Sequence, residues 1–516
     1  MFVDADEIPE GTVLEADICI VGGGAAGITF AREFIATPFR VCLLESGGFE
    51  YNEDIQRLYQ GENVGRHFYE LDLSRHRYFG GSTNEWAGFC RPLKAIDFEQ
   101  RPYLPHSGWP FGLDELEPFY RRAQDVCQLG PYGYDSGVFE ARTGKTVLPF
   151  DPARIVTEVV QRSPPTRFGG VYRNDLKTAS NVLVYLHANA IDIETGNTPA
   201  AVTRLRAATL GGKRIWIAAK RFILAAGGIE NARLLLSSNR QQTSGLGNQA
   251  DQVGRFFMEH PMPVVGQLWP ADERWPAYCA ELYEQKQMPV SGVLSLAGPL
   301  QEQEQILHCV VGLEAIQRGT EGWIALRRVV KRQRAGRSGV LSDLRAAISD
   351  IKGVAEGAYQ KAVHGQVAIS LFDVQCFSEQ APNPDSRVTL GAKRDALGLP
   401  QPKLDLRLSD IDKRTISRTL QIFMRELSKT RLGRIEADFQ DWPSQFVTGN
   451  HQMGTTRMSV DARRGVVDAN CRVYGIANLY VAGSSVFPTS GSANPTLTIV
   501  ALTLRLADQI KRSIAA

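Results

Sequence analysis

Apolar runs that end in glycine turns recur along the chain. Asp17-Ile18-Cys19-Ile20-Val21 has the β-branched pattern of a buried strand, and Gly22-Gly23-Gly24-Ala25-Ala26-Gly27 follows at once. Over 28–36 Ala31, Phe34 and Ile35 repeat at helical spacing, and Pro38 stops the helix. Val41-Cys42-Leu43-Leu44-Glu45 then predicts a second buried strand closing on an acid. Further on, 182–185 and 190–193 are strand candidates. Arg221-Phe222-Ile223-Leu224 predicts a strand entering the turn Ala225-Ala226-Gly227-Gly228, with a helix over 229–237. Leu479-Tyr480-Val481 repeats the arrangement before Ala482-Gly483-Ser484, and a long helix starts near Pro495. Residues 367–375 partly alternate, as a half-buried strand does. The turn cluster 382–386 leads into a further strand at 387–390.

The first of these units is a binding device. Gly22 permits a tight turn, Gly24 lets the backbone approach a pyrophosphate, and Gly27 lets helix and strand pack closely. The free N–H groups and positive end of the helix face the phosphates. Glu45, at the end of the second strand, can accept hydrogen bonds from ribose hydroxyls and would repel the 2′-phosphate of NADP. Strand, glycines, helix, strand and acid together predict a dinucleotide site without separating NAD from FAD.

Composition narrows the rest. With 516 residues, 43% hydrophobic and 22% charged, the chain is an ordinary globular protein of more than one domain. A net charge of +2 does not suggest a nucleic-acid partner. The acidic N-terminus resembles neither a signal nor a transit peptide, and 497–510 is too short and polar to span a bilayer, so a cytoplasmic location is expected. None of the eight cysteines forms a Cys-x-x-Cys pair, and no metal site is expected.

Six motifs, in order over most of the chain, give it a specific likeness. They are the glycine motif with Glu45; Phe79-Gly80-Gly81-Ser82-Thr83-Asn84-Glu85-Trp86; and 222–231, Phe-Ile-Leu-Ala-Ala-Gly-Gly-Ile-Glu-Asn. Next come 253–261, Val-Gly-Arg-Phe-Phe-Met-Glu-His-Pro; His451-Gln452-Met453-Gly454-Thr455; and Gly491-Ser492-Ala493-Asn494-Pro495-Thr496. The chain resembles the glucose–methanol–choline (GMC) flavoproteins, above all the pyranose oxidase-like and bacterial sugar and glycoside oxidoreductases.

The resemblance implies an α/β fold (α+β overall). A Rossmann-like FAD-binding domain is built from 1–100, 181–261 and 446–516. A substrate domain from 101–180 and 262–445 carries a mostly antiparallel sheet capped by helices. By the same resemblance FAD is held by Gly22, Gly24, Ala25, Ala26 and Gly27, with Glu45, Ser46 and Ala190 on the adenosine side. Gly81, Ser82 and Asn84 run along the isoalloxazine. Ala226, Gly227, Gly483, Ser484, Pro495 and Thr496 complete the set. Some sugar oxidases anchor FAD through a histidine in the Gly-Ser-Thr loop; Asn84-Glu85-Trp86 has none, so FAD is expected to be non-covalent, and Cys90 to be a buried structural thiol.

His451, by the family match, is the base that takes the hydroxyl proton, a task suited to an imidazole that titrates near neutral pH. Asn494 would hold the substrate oxygen while also capping the helix that opens at Pro495. Arg255, Glu259 and His260 are assigned to ion pairs and packing. Gln375 and Glu379 are candidates for reaching a polyol. The expected reaction oxidises a secondary hydroxyl of a sugar or glycoside to a ketone. Oxidation of a primary alcohol, such as an aminosugar's exocyclic hydroxyl, and a non-redox flavin-dependent lyase stay open. So do oxygen, a quinone or a separate redox protein as electron acceptor, and a homo-oligomeric state.

One stretch is left over. Residues 320–364 carry nine basic and four acidic side chains, and Leu341, Leu344, Ile348, Ile351 and Ala355 recur at helical spacing. They predict a basic, amphipathic helical hairpin packed on the substrate domain, with a partner or subunit contact, a membrane-surface contact and an active-site lid as the alternatives.

Overall fold

In the computed structural model the first apolar run forms the strand Val13–Val21, in the interior of an eight-stranded sheet. Its continuous apolar character follows from burial on both faces: Ile18, Cys19 and Ile20 are all fully buried. Val41–Leu44 lies parallel on one side, with Ile18 opposite Val41 and Val21 opposite Leu44. Arg214–Leu224 lies parallel on the other, and carries the parallel strand Leu479–Val481 in turn. Val182–Leu186 and Phe2–Asp4 extend the parallel part, while Val202–Ala208 and Asn189–Thr195 add antiparallel strands. The helices Ala25–Glu33 and Thr496–Ala515 pack on one another, so three glycine turns open at one end of one sheet. That end, beyond the carboxyl ends of parallel strands, is where α/β folds place ligands.

The structure describes the chain apart from residues 67–68, 165, 280–289, 318–324, 327–328, 330–339, 353, 356–357, 359–368, 438–446 and 516. Most of the basic side chains of 320–364 lie outside the described residues.

A second sheet is antiparallel throughout. Its order is Gly433–Ala437, Val264–Pro270, Ile369–Ser378, Cys309–Gln317, Val290–Leu296, Ile155–Arg162 and Phe89–Cys90. The helix Asp410–Thr430 lays Ile416, Leu420, Phe423 and Leu427 into the same core as Val265, Leu268 and Phe372 of this sheet. A small third sheet joins Arg387–Arg394, Pro400–Asp405 and Glu62–Asn63. The mixed α/β architecture is the one expected. The chain already reaches the second sheet at Phe89–Cys90, within the first ninety residues.

The insert departs from its pattern. A helix does form over Val340–Ser349, and Ala347 is buried, but Leu344 and Ile348 on the expected inner face are exposed, as is Ile351 just beyond it. Helical spacing identifies a stripe; it does not say which neighbour covers it. Among the described residues, no helix is long and apolar enough to cross a membrane.

Candidate active site

The glycine turns enclose one end of a cavity of about 640 Å³. Gly22 turns with φ +105°, and a Cβ there would come within 2.6 Å of the Ala225 carbonyl oxygen. A Cβ on Gly27 would lie 1.8 Å from the Gly22 carbonyl, which leaves no room for a side chain where helix meets strand. Gly27 therefore shapes the turn from behind, whereas Gly22, Gly24, Ala25 and Ala26 line the cavity. The helix N-cap, Gly24, makes no side-chain capping bond, and Gly81 faces it so closely that its Cβ would lie 3.1 Å from the Gly24 Cα.

Glu45 and Ser46 also line the cavity. The Glu45 carboxylate is already engaged, accepting N–H bonds from Gly23 at 2.8 Å and Gly47 at 2.9 Å. Burial raises its pKa, against those backbone bonds. Ser82, Ala190, Ala226, Gly227, Gly483, Ser484, Pro495 and Thr496 stand on the cavity wall, with open space above Gly227 and Gly483. Asn84 does not: its amide donates to the Phe79 carbonyl at 3.0 Å and closes the turn from outside. Its side chain holds the loop in shape instead of facing the cavity.

At the far end the chain brings His451 and Asn494 together, with Nε2 of the ring 3.3 Å from Nδ2 of the amide. Two backbone features cause this. Segment 448–453 runs antiparallel to 258–261, with bridges Met258 to Met453 and Pro261 to Thr448, and Asn450 bends the loop at φ 57°. Across from it, the turn before Asn494 is pinned: Gly491 (φ +53°) packs where a Cβ would meet Leu93 and Asp97, and Ser492 accepts from Arg91 at 2.6 Å. Arg91 in turn pairs with buried Glu158, and Trp109 donates to Thr489 at 2.8 Å.

The Glu259-His260 pair, expected to serve ion pairing and packing, meets His451, Glu259 at its backbone and His260 at its ring. His260 Nδ1 is 2.8 Å from His451 Nδ1, and the two rings meet edge to face at 80°. Glu259 accepts the His451 backbone N–H at 2.7 Å and the Tyr69 hydroxyl at 2.7 Å. Burial, with no cation beside it among the groups that shift it, pushes the Glu259 pKa up to about 7. Burial likewise lowers His260 to about 4 and His451 well below the ordinary imidazole range, the neighbouring His260 ring adding to the latter. Both rings are neutral at pH 7.

Two candidate polyol contacts separate. Gln375 lines the cavity, near Phe377, Met262 and Glu314. Glu379 is fully buried and grips Arg101 through both carboxylate oxygens, at 2.8 and 2.5 Å. It is away from the cavity, and every approach by a polyol is closed by protein. The sequence reading missed a second cluster on the wall. Arg75, Arg77 and Arg233 surround Glu230, at 3.0, 3.3 and 3.1 Å, and Arg233 also meets Asp395 at 2.6 Å. Burial opposes ionisation of Glu230, yet the three guanidiniums hold its pKa down at about 2. These charges sit on a loop and on an otherwise apolar helix, without a periodic signal to mark them.

Comparison with known proteins decides what this cavity belongs to. Residues 382–503 match the model of the GMC oxidoreductase family. The large subunit of fructose dehydrogenase from Gluconobacter japonicus is 24% identical, over 96% of this chain and 98% of its own. The chain is similar to the GMC oxidoreductases, by a family match over residues 382–503 and by relatives along nearly its whole length. The 6'''-hydroxyparomomycin C oxidase of Streptomyces lividus is also 24% identical, over 97% of this chain and 92% of its own. A C-glycoside 3-oxidase from Microbacterium trichothecenolyticum is 36% identical, over 23% of this chain and 24% of its own. The crystal structure of formate oxidase shares the fold, with a TM-score of 0.58 at 18% identity, covering 98% of this chain and 99% of the other.

The protein is an oxidoreductase acting on CH–OH groups, and its cofactor is FAD. The cavity fits such a group. Uncapped helix ends at Gly24 and Ala226 suit a pyrophosphate, and the Gly24–Gly81 approach and open space over Gly227 and Gly483 leave a cradle that side chains would fill.

Proposed function

We propose that the protein oxidises a secondary hydroxyl of a sugar or glycoside to a ketone. His451 takes the hydroxyl proton on Nε2, and Asn494 donates its amide N–H to the same oxygen and keeps it beside the imidazole. FAD, when bound, supplies the acceptor for the hydride that leaves the carbon. Residues 22–27 would hold its phosphates, Glu45 its ribose, and Gly81 with Pro495 and Thr496 its ring. The single observation that carries the reading is the 3.3 Å approach of His451 Nε2 to Asn494 Nδ2 on the wall of the FAD cavity.

The substrate class rests on the relatives, two of which are named for fructose and for position 3 of a C-glycoside. Gln375 is the polyol contact this reading keeps, and Glu314 joins it from the adjacent strand. The paromomycin relative, named for a 6'''-hydroxyl, favours a second reading in which an exocyclic primary alcohol becomes an aldehyde. Product analysis after anaerobic flavin reduction by a panel of sugars, glycosides and aminosugars separates ketone from aldehyde. Non-covalent FAD is part of the proposal: 84–86 offers no histidine, and Cys90 is fully buried.

The state of the base fixes a pH dependence. The pKa of His451 is lowered, so its neutral, proton-accepting form persists as pH falls through the ordinary imidazole range, and is lost only well below it. The rate constant for anaerobic flavin reduction is therefore expected to show no acid limb near pH 6.5, the ordinary imidazole value. A limb there that remains after Glu259→Gln, which removes the neighbouring carboxyl whose pKa is pushed up to about 7, would contradict a buried neutral base.

A further inference from the structure

A histidine base works only if the lone pair is on the nitrogen that faces the substrate. Three hydrogen bonds in a row determine this for His451. His260 Nε2 lies 2.9 Å from the carbonyl oxygen of Gly491. A carbonyl only accepts, so this nitrogen carries the proton. In a neutral ring Nδ1 is then bare, and it lies 2.8 Å from His451 Nδ1, which must donate to it. The remaining nitrogen of His451, Nε2, keeps its lone pair, and the group facing it is the Asn494 amide at 3.3 Å. The opposite assignment would turn the bare Nε2 of His260 toward the Gly491 oxygen, lone pair against lone pair.

From this relay we infer that His260 is a positioning residue: it sets the Nδ1–H tautomer of His451 and thereby aims the Nε2 lone pair at the substrate. The Gly491 carbonyl is the origin of the relay, three residues ahead of Asn494 on the same turn. One short loop thus supplies the amide and, through His260, orients the base. His260 is buried, with 1% of its surface exposed, so water does not compete for its Nδ1. Glu259, the adjacent residue, anchors the His451 backbone N–H and leaves the ring to His260. The effect on rate rests on the function proposed above; the tautomer itself does not.

The test uses full-length, FAD-loaded protein with ¹⁵N-labelled histidine, and reads long-range ¹H–¹⁵N correlations, whose pattern differs between the two neutral tautomers. His451 is assigned by the signals lost in His451→Ala. The wild type is expected to show His451 protonated on Nδ1. In His260→Leu the pattern moves to the Nε2–H form or to a mixture, and flavin reduction slows by about 10-fold or more, since the lone pair is no longer aimed. In His260→Asn, whose Oδ1 takes over the acceptor position of Nδ1, the Nδ1–H pattern and most of the rate return. Should His260→Leu fail to fold, the wild-type and His260→Asn patterns carry the decision. An Nε2–H His451 in the wild type, or an unchanged Nδ1–H pattern in His260→Leu, overturns the inference. An Nδ1–H wild type that shifts in His260→Leu, yet is reduced by no alcohol, upholds it and removes the function proposed above.

Discussion

Replacing His451 by alanine is expected to slow anaerobic flavin reduction by about 10²–10⁴-fold, the usual worth of a positioned base. The variant should still fold and bind FAD, because the ring faces the cavity and, among the described residues, the side-chain bonds it loses are those to His260 and Asn494. The Glu259 bond runs to the backbone of residue 451 and survives the change. The rate is measured by rapid mixing with the best alcohol of the panel. A reduction rate within a few-fold of wild type would take proton removal away from His451.

A loss of a different kind is expected from Glu379→Gln. Arg101 and Glu379 are 3% and 0% exposed, and Glu379 also accepts the His308 N–H at 3.1 Å. Burial works against the charge on Arg101, and the paired carboxylate more than offsets it. With glutamine the buried guanidinium loses its paired carboxylate and keeps only the unpaired influence of Asp97; breaking a buried pair typically costs about 3–5 kcal/mol. Urea unfolding of the FAD-loaded protein, followed by flavin and tryptophan signals, measures the loss. KM for the alcohol should stay close to wild type in whatever fraction remains folded. Had Glu379 reached the substrate, KM would rise while stability stayed nearly unchanged.

These two residues show where reading a sequence succeeds and where it stops. The turn at 22–27 is legible because its requirement is local: a Cβ on Gly27 would overlap the Gly22 carbonyl only five residues away. The strands beside it are legible because burial on both faces leaves them apolar throughout. His451 and Asn494 lie forty-three residues apart, and periodicity does not join them; only their motifs did. The bonds from Glu259 and His260 to residue 451 span 192 and 191 positions. A Glu-His dipeptide has the same appearance whether it packs a core or orients a base. Glu379 was misjudged for the same reason, since its partner Arg101 is 278 residues upstream and burial is not written in a polar residue's neighbours. Leu344 and Ile348 illustrate the converse, a helical stripe that turned out to face solvent.

The central claim is that a neutral imidazole and a carboxamide meet on one wall of an FAD cavity to activate a sugar hydroxyl. Mixing the FAD-loaded protein with sugars and glycosides in the absence of oxygen tests this most directly. The flavin absorbance should bleach with at least one of them, and the product should carry a new ring ketone. A flavin that dithionite bleaches but no sugar, glycoside or simple alcohol does would contradict it.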